Sequence, residues 1–259
     1  MNFPRPDALG FLRRPSHEVA AESARHHIGA ARAFSSRSVV VSSTGTVPTT
    51  TLEAENLAKS FAGPPLFSDL SFRVSEGLVA VSGRNGSGKT TLLKILAGLL
   101  RATKGRVKVE REPGNPLSPA ERRLAVGWSG PDLAFYGELT ALENLEFFRK
   151  AAGRPAERTE LLRRLDEVGL AREAVDRRVE EFSTGMKQRL RIAFARLFDP
   201  PLLILDEPMV GLDLEGREMV YRVVSEARRS GAVLLASNDE RDFVHPDQRI
   251  ELTSARSAP

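Results

Sequence analysis

A chain of 259 residues, 41% hydrophobic and 28% charged, has room for one large α/β domain, or a domain with an appendage, and the balance of a soluble globular protein. With no cysteine it forms neither disulfides nor thiolate metal sites; its four histidines (His17, His26, His27, His245) lack zinc-ligand spacing, and no apolar run approaches the ~18 residues that span a bilayer. The net charge of +4 comes mainly from residues 1–38, where six arginines face three acids, so the basic balance gives no reason to expect a nucleic-acid partner.

Residues 1–38 have little apolar periodicity and are rich in Arg, Ala and Ser, and residues 42–51 read as a polar linker. An Arg- and Ser-rich start suits an organelle transit peptide, but Asp7, Glu18 and Glu22 with Pro4 and Pro6 weigh against one, and there is no apolar signal core. No methionine between Met1 and Met186 offers a later start. The expectation is a disordered or mobile N-terminal extension and linker over residues 1–50, one domain over 51–253 and a tail over 254–259.

Residues 52–57 alternate as an antiparallel edge strand does, and residues 66–74 continue the alternation. Residues 77–82 form a short apolar run, the pattern of a buried parallel strand. Next comes Gly83-Arg84-Asn85-Gly86-Ser87-Gly88-Lys89-Thr90-Thr91, which fits G-x-x-x-x-G-K-[ST]. The glycines let successive backbone N–H groups point at an anion. Lys89 is placed among the β- and γ-phosphate oxygens of a nucleotide, and the Thr90 hydroxyl at the Mg²⁺ that bridges them. Leu92, Ile95, Leu96 and Leu99 then repeat on one helical face, so the loop delivers phosphate to a helix N-terminus.

Residues 104–109 read as a turn and a strand, and the stretch from about 118 to 182 as mostly helical. Within it Thr140-Ala141-Leu142-Glu143 is a capping box, and residues 155–169 form a charged amphipathic helix. Residues 202–205 and 232–236 are short apolar runs typical of buried strands, and no internal repeat is present. The first of these runs ends in Asp206-Glu207-Pro208. At such a strand end the first carboxylate holds Mg²⁺, assigning Asp206 to the metal, and Glu207 becomes the base that polarises the attacking water.

Upstream, Phe182-Ser183-Thr184-Gly185-Met186-Lys187-Gln188-Arg189 precedes another helical pattern, and Gly211-Leu212-Asp213 follows the carboxylates. As one ordered set spanning about residues 52–252, these motifs resemble the ATP-binding cassette (ABC) ATPases, with a signature segment and a D-loop. The resemblance implies an α/β fold: a phosphate-loop NTPase core of ABC type with a parallel sheet, an N-terminal antiparallel β subdomain and an inserted helical subdomain at about 118–182. It implies ATP and Mg²⁺ as cofactors and a head-to-tail pair with a second ABC ATPase subunit, identical or not. Ser183 and Gly185 then meet the γ-phosphate of the other subunit's ATP. Ser183 taken alone is also an ordinary helix N-cap. Phe61 falls where the family stacks an aromatic ring on adenine; its plainer reading is a core residue.

Two positions depart from the pattern. Where the family has a glutamine after the strand entering the helical subdomain, Trp128-Ser129-Gly130-Pro131-Asp132 places Pro131, with Asp132 or Ser129 as possible substitutes. Where the family has its switch histidine, this chain has Asn238, whose amide donates a hydrogen bond but never becomes cationic. The expectation is intact ATP binding with slow turnover. Residues 139–148, the short insert and the chain's end soon after Asn238 look like exporters of the cytochrome c maturation (haem export) type. The implied setting is the cytoplasmic face of a membrane, bound peripherally to an integral membrane transporter subunit. Two other readings stay open: a degraded cassette that binds ATP as a regulatory module, and a soluble ABC ATPase outside transport.

Overall fold

The structure is a computed structural model that describes residues 50–253; the expected extension before residue 50 and the tail after 253 lie outside the described residues. Two sheets organise it. The first comprises β1 (Thr51–Lys59), β2 (Phe67–Val74), β4 (Lys104–Glu112) and β5 (Asn115–Pro116), antiparallel in the order β2-β1-β4-β5. The first strand is therefore central rather than an edge: Leu52 lies opposite Val74 on one side and Val109 on the other. Alternating burial reports which face of a strand is covered, and says nothing of how many neighbours it bonds. The pattern also slips once, because Asn56 sits at φ 48 within an irregular register and Leu57, rather than its predecessor, turns inward.

The second sheet comprises β6 (Val126–Ser129), β7 (Leu202–Asp206), β8 (Ala232–Ala236), β3 (Gly77–Ser82) and β9 (Gln248–Glu251), all parallel in the order β6-β7-β8-β3-β9. Its inner strands β3, β7 and β8 are buried on both faces, which explains their continuous apolar sequence. Side chains divide by period two. Leu78, Ala80, Leu203, Leu205, Val233 and Leu235 point into one core, while Val79, Val81, Leu202, Ile204 and Leu234 point into another. Each leucine buried this fully contributes about 1.5–3 kcal/mol.

The first core is closed by α3 (Ala141–Ala151), α4 (Arg158–Glu167), α5 (Arg172–Val175), α6 (Thr184–Ala195) and α7 (Leu214–Ala227), and the second by α1 (Lys89–Leu96) and the antiparallel sheet. The capping box at Thr140 forms as read: its hydroxyl accepts from Glu143 N, and Glu143 accepts from Thr140 N. A second box, Ser118 with Glu121, opens the short helix α2 (Pro119–Ala125), so β6 interrupts the stretch expected to be mostly helical. Leu99 is not on the helical face assigned to it. The helix ends at Leu96, the chain reverses through Gly98 at φ 77, and Leu99 is 40% exposed.

Register now fixes what meets what. Ser129 pairs with Leu205, Asp206 with Ala236, and Ala236 with Val81. The carboxyl ends of β6, β7, β8 and β3 thus lie side by side, the edge where parallel α/β sheets bind ligands.

Candidate functional site

The turn after β3 is shaped by backbone. Gly83 sits at φ 145, and a Cβ there would lie 2.6 Å from both Leu252 O and Ser87 Oγ, so no larger residue fits. α1 starts at Lys89 with Gly88 as N-cap; no side chain caps it, and its first turn holds no acid. Its leading N–H groups and positive dipole end are left for an anion. Arg84, Asn85 and Gly86 are exposed on the rim of this turn, Ser87 is buried within it, and Thr90 and Thr91 open the helix.

Lys89 is buried, and its Nζ donates to Gly83 O (2.8 Å) and to Asn238 Oδ1 (2.7 Å). Asn238 in turn donates from Nδ2 to Glu207 Oε1 at 2.6 Å. The amide can face only this way, since an ammonium has donors alone and an ionised carboxylate acceptors alone. Asn238 is thus a neutral bridge between the lysine that opens α1 and the carboxylate just beyond β7. Glu207 is held at φ 50, a left-handed conformation costing a residue with a long side chain about 1 kcal/mol, while its N–H donates to Ala236 O at 2.9 Å. Burial raises the Glu207 pKa; the Asn238 backbone amide and Lys89 oppose the rise, and Asp206 and Asp242 add to it.

Asp206 is 1% exposed, and neither carboxylate oxygen accepts a well-formed hydrogen bond. Burial pushes its pKa up, against the pull of the nearby Thr90 hydroxyl, Lys94 and Lys89, while Asp132 pushes it further up. A buried carboxylate with two unused oxygens beside a hydroxyl and a phosphate loop suits a hard, oxygen-seeking divalent cation. Thr90 and Asp206 can hold one.

Phe61 is not a core residue. It is 68% exposed, with Lys59 Nζ 4.7 Å from its ring centroid. Its loop closes where Leu66 N donates to Lys59 O (2.7 Å), and Leu66 and Phe67 both lie 3.4 Å from where a Cβ on Gly88 would stand. Ser183 caps α6, its hydroxyl accepting from Met186 N at 3.2 Å. Gly185 and Gly211 are pressed together: a Cβ on the first would lie 2.9 Å from Gly211 O. Among the described residues, no hydrogen bond or ion pair links Ser183, Thr184 or Gly185 to residues 83–91. The structure brings Lys89, Asp206, Glu207 and Asn238 to one edge.

After β6, Ser129 is fully buried with an unpartnered hydroxyl, and Asp132 pairs with Lys94 of α1 at 2.9 Å. Two contacts here escaped the sequence. Arg191 on α6 donates to Leu133 O (3.1 Å), to Pro131 O (3.3 Å) and to Gln188 Oε1 (3.1 Å), and Gln188 Nε2 reaches Pro208 O (3.1 Å). At the other side, the buried Ser237 and Asp242 join the half-exposed Arg217 in a polar group beside Asn238. The first lacks any local signal; the second had a weak one, since Ser237 two residues before Asp239 is the spacing of a hydroxyl turn. An open cavity of about 430 Å³ lies against Glu207 and Asn238, also lined by Val210, Arg217, Asp239 and Asp242.

The profile of the family described as "ABC transporter" matches residues 67–210. An uncharacterized ABC transporter ATP-binding protein of Bacillus subtilis is 39% identical over 190 residues, 72% of this chain; the chain spans 62% of that protein's length. The zinc import ATP-binding protein of Cereibacter sphaeroides is 38% identical over 78% of each chain, and the cytochrome c biogenesis ATP-binding export protein of Xanthomonas axonopodis is 36% identical over 72% of this chain and 85% of its own. In fold, an ATP-binding cassette solved as a dimer in a post-hydrolysis state with ADP and Pi matches at TM-score 0.68 and 24% identity, over 78% of this chain and 94% of that one. With its phosphate loop, carboxylate pair and signature on one α/β frame, the chain belongs to the ABC transporter family, among its ATP-binding ATPase cassettes.

Proposed function

We propose that this cassette hydrolyses ATP at a head-to-tail interface with a second cassette and drives a separate membrane subunit. The observation that carries the reading is the chain Lys89–Asn238–Glu207 beside the unpartnered Asp206. In this reading Lys89 and the loop N–H groups hold the phosphates, and Phe61 offers its exposed face to adenine. Thr90 and Asp206 would hold Mg²⁺, which when bound neutralises charge on the β- and γ-phosphates. Glu207 takes the proton of the attacking water at a carboxylate oxygen, and Asn238 orients that carboxylate. Ser183 and Gly185, at the N-terminus of α6 and without a hydrogen bond to their own chain's loop among the described residues, serve ATP held by the partner, whose approach would fill the cavity beside Glu207. For the role of the missing glutamine side chain, Asp132, whose charge is felt at Asp206, is a better candidate than Ser129, which is fully buried.

The stretch 118–182, apart from β6, is the inserted helical subdomain in this reading. It displays a set of edge-to-face rings, Tyr136 with Phe147 at 5.0 Å and Phe147 with Phe148 at 5.4 Å, with Tyr136 and Phe147 partly exposed. Such a surface suits a helix offered by an integral membrane subunit. No helix among the described residues is long and apolar enough to cross a membrane. In this reading the translocation path belongs to that subunit, and the cassette binds it peripherally at the cytoplasmic face. Export of haem for cytochrome c biogenesis is the cargo favoured by residues 139–148 and by the export relative, although the zinc-import relative is as similar. A second reading, an ATP-binding regulatory module, draws on Asn238 and Pro131.

Comparing steady-state ATPase rates of the purified chain and Glu207→Gln decides between them. Hydrolysis predicts a fall of about 100-fold or more, the usual worth of a general base. A wild-type rate no higher than the variant's leaves a binding module. Co-purification with an integral membrane protein after tagged expression in the native membrane tests the partner, and its absence favours a soluble factor.

A further inference from the structure

We propose that Asp242 is a positioning residue for ATP hydrolysis, holding residues 237–239 so that Asn238 spans Lys89 and Glu207. The inference rests on the hydrolytic reading above. β8 ends at Ala236, so the next residues lose the support of the sheet ladder just where the bridging amide is needed. What replaces the ladder is side-chain chemistry. Asp242 closes the short 3-10 turn Glu240–Asp242 and is only 4% exposed. Its Oδ2 accepts from Ser237 Oγ at 2.5 Å, and its Oδ1 accepts from Arg217 on α7 at 3.2 Å. Ser237 Oγ, its single proton given to Asp242, accepts the Asp239 N–H at 3.0 Å. The residues on both sides of Asn238 therefore hang from one hydroxyl, and that hydroxyl hangs from one carboxylate.

The amide they carry has little freedom to drift. It spans a donor at 2.7 Å and an acceptor at 2.6 Å, and such bonds weaken steeply once a side chain shifts by about half an ångström. A buried carboxylate is costly unless paired and hydrogen-bonded, and here the pairing falls beside the working amide. A fold staple would stabilise the domain equally whether or not Asn238 were present. A positioning residue acts only through Asn238, and that difference can be measured.

The experiment takes the full chain and measures kcat, KM, affinity for a fluorescent ATP analogue and Tm for Ser237→Ala, Ser237→Thr, Asp242→Ala, Asn238→Ala and the doubles with Asn238→Ala. Ser237→Ala and Asp242→Ala should each lower kcat about tenfold with nucleotide affinity within about twofold, and Ser237→Thr should recover the rate. In the Asn238→Ala background the same changes should cost less than about twofold, the non-additivity of residues acting as one unit. Equal losses with and without Asn238, or folded variants with wild-type kcat, overturn the proposal. Should Asp242→Ala fail to fold, Ser237→Ala, which leaves the Arg217–Asp242 pair in place, carries the same cycle. A wild-type chain without turnover overturns the hydrolytic reading and this inference together, whereas an active wild type with unaffected variants overturns this inference alone.

Discussion

The phosphate loop after β3 and the segment after β8 stand side by side on one sheet edge, yet they are finished differently. The first is left open: α1 begins uncapped, and Asp206 beside it keeps two buried oxygens without partners. The second is closed: Ser237, Asn238, Asp239 and Asp242 all have hydrogen-bond partners within the chain. Unmet polar groups in a folded interior are costly, so they mark where a ligand completes the structure. Satisfied networks at the same edge mark what must not move while it does so.

Removing the open side's main cation should have the largest effect. Lys89→Ala is expected to weaken ATP binding about 100-fold, or about 2.8 kcal/mol, by equilibrium titration. A variant that binds as wild type would show that the open side is not a phosphate site. Next in size, Asp206→Asn should stabilise the nucleotide-free chain by about 1–3 kcal/mol, because an amide is cheaper to bury than a carboxylate. The sign follows from the raised pKa: the stability is fully present below the value of an unfolded aspartate and is lost as pH rises from there through the folded value, a loss the variant does not share. Denaturant melts of both proteins across pH 4–8 check it, and a less stable variant would mean that Asp206 is already satisfied. The smallest effect is expected on the closed side. Asn238→His should raise kcat several-fold and add an ionisation between about pH 6 and 7 to the rate profile, since the wild-type amide cannot titrate. Ordinary wild-type turnover that the histidine does not raise would remove the case for a slow site.

The open side was legible in the sequence and most of the closed side was not. Residues 83–91 are contiguous, and a tight turn can be recognised from its glycines because backbone geometry is local. Asp206 and Glu207 were readable for the same reason, lying at the end of an apolar run. Residues 77–82 and 232–236 were delimited correctly as strands, since burial on both faces leaves an uninterrupted apolar signature. The central place of β1 was missed because hydrogen-bonded neighbours leave no trace in side-chain alternation. The strand β9 was passed over as well, being four residues with one buried side chain. Arg191 reaching Pro131 and Leu133, or Arg217 reaching Asp242, joins residues far apart in the chain through side chains whose types are common on any surface. Only the folded register discloses such pairs.

The left-handed backbone at Glu207 has a consequence for how this chain can change. Asparagine or glycine would relax that conformation, and an uncharged residue would relax the neighbouring Asp206, so in the hydrolytic reading proposed above the substitutions that ease the fold here are ones expected to abolish turnover. A cassette that only binds nucleotide would have no need of the strained carboxylate, so retention of Glu207 at this backbone position accords with the hydrolytic reading.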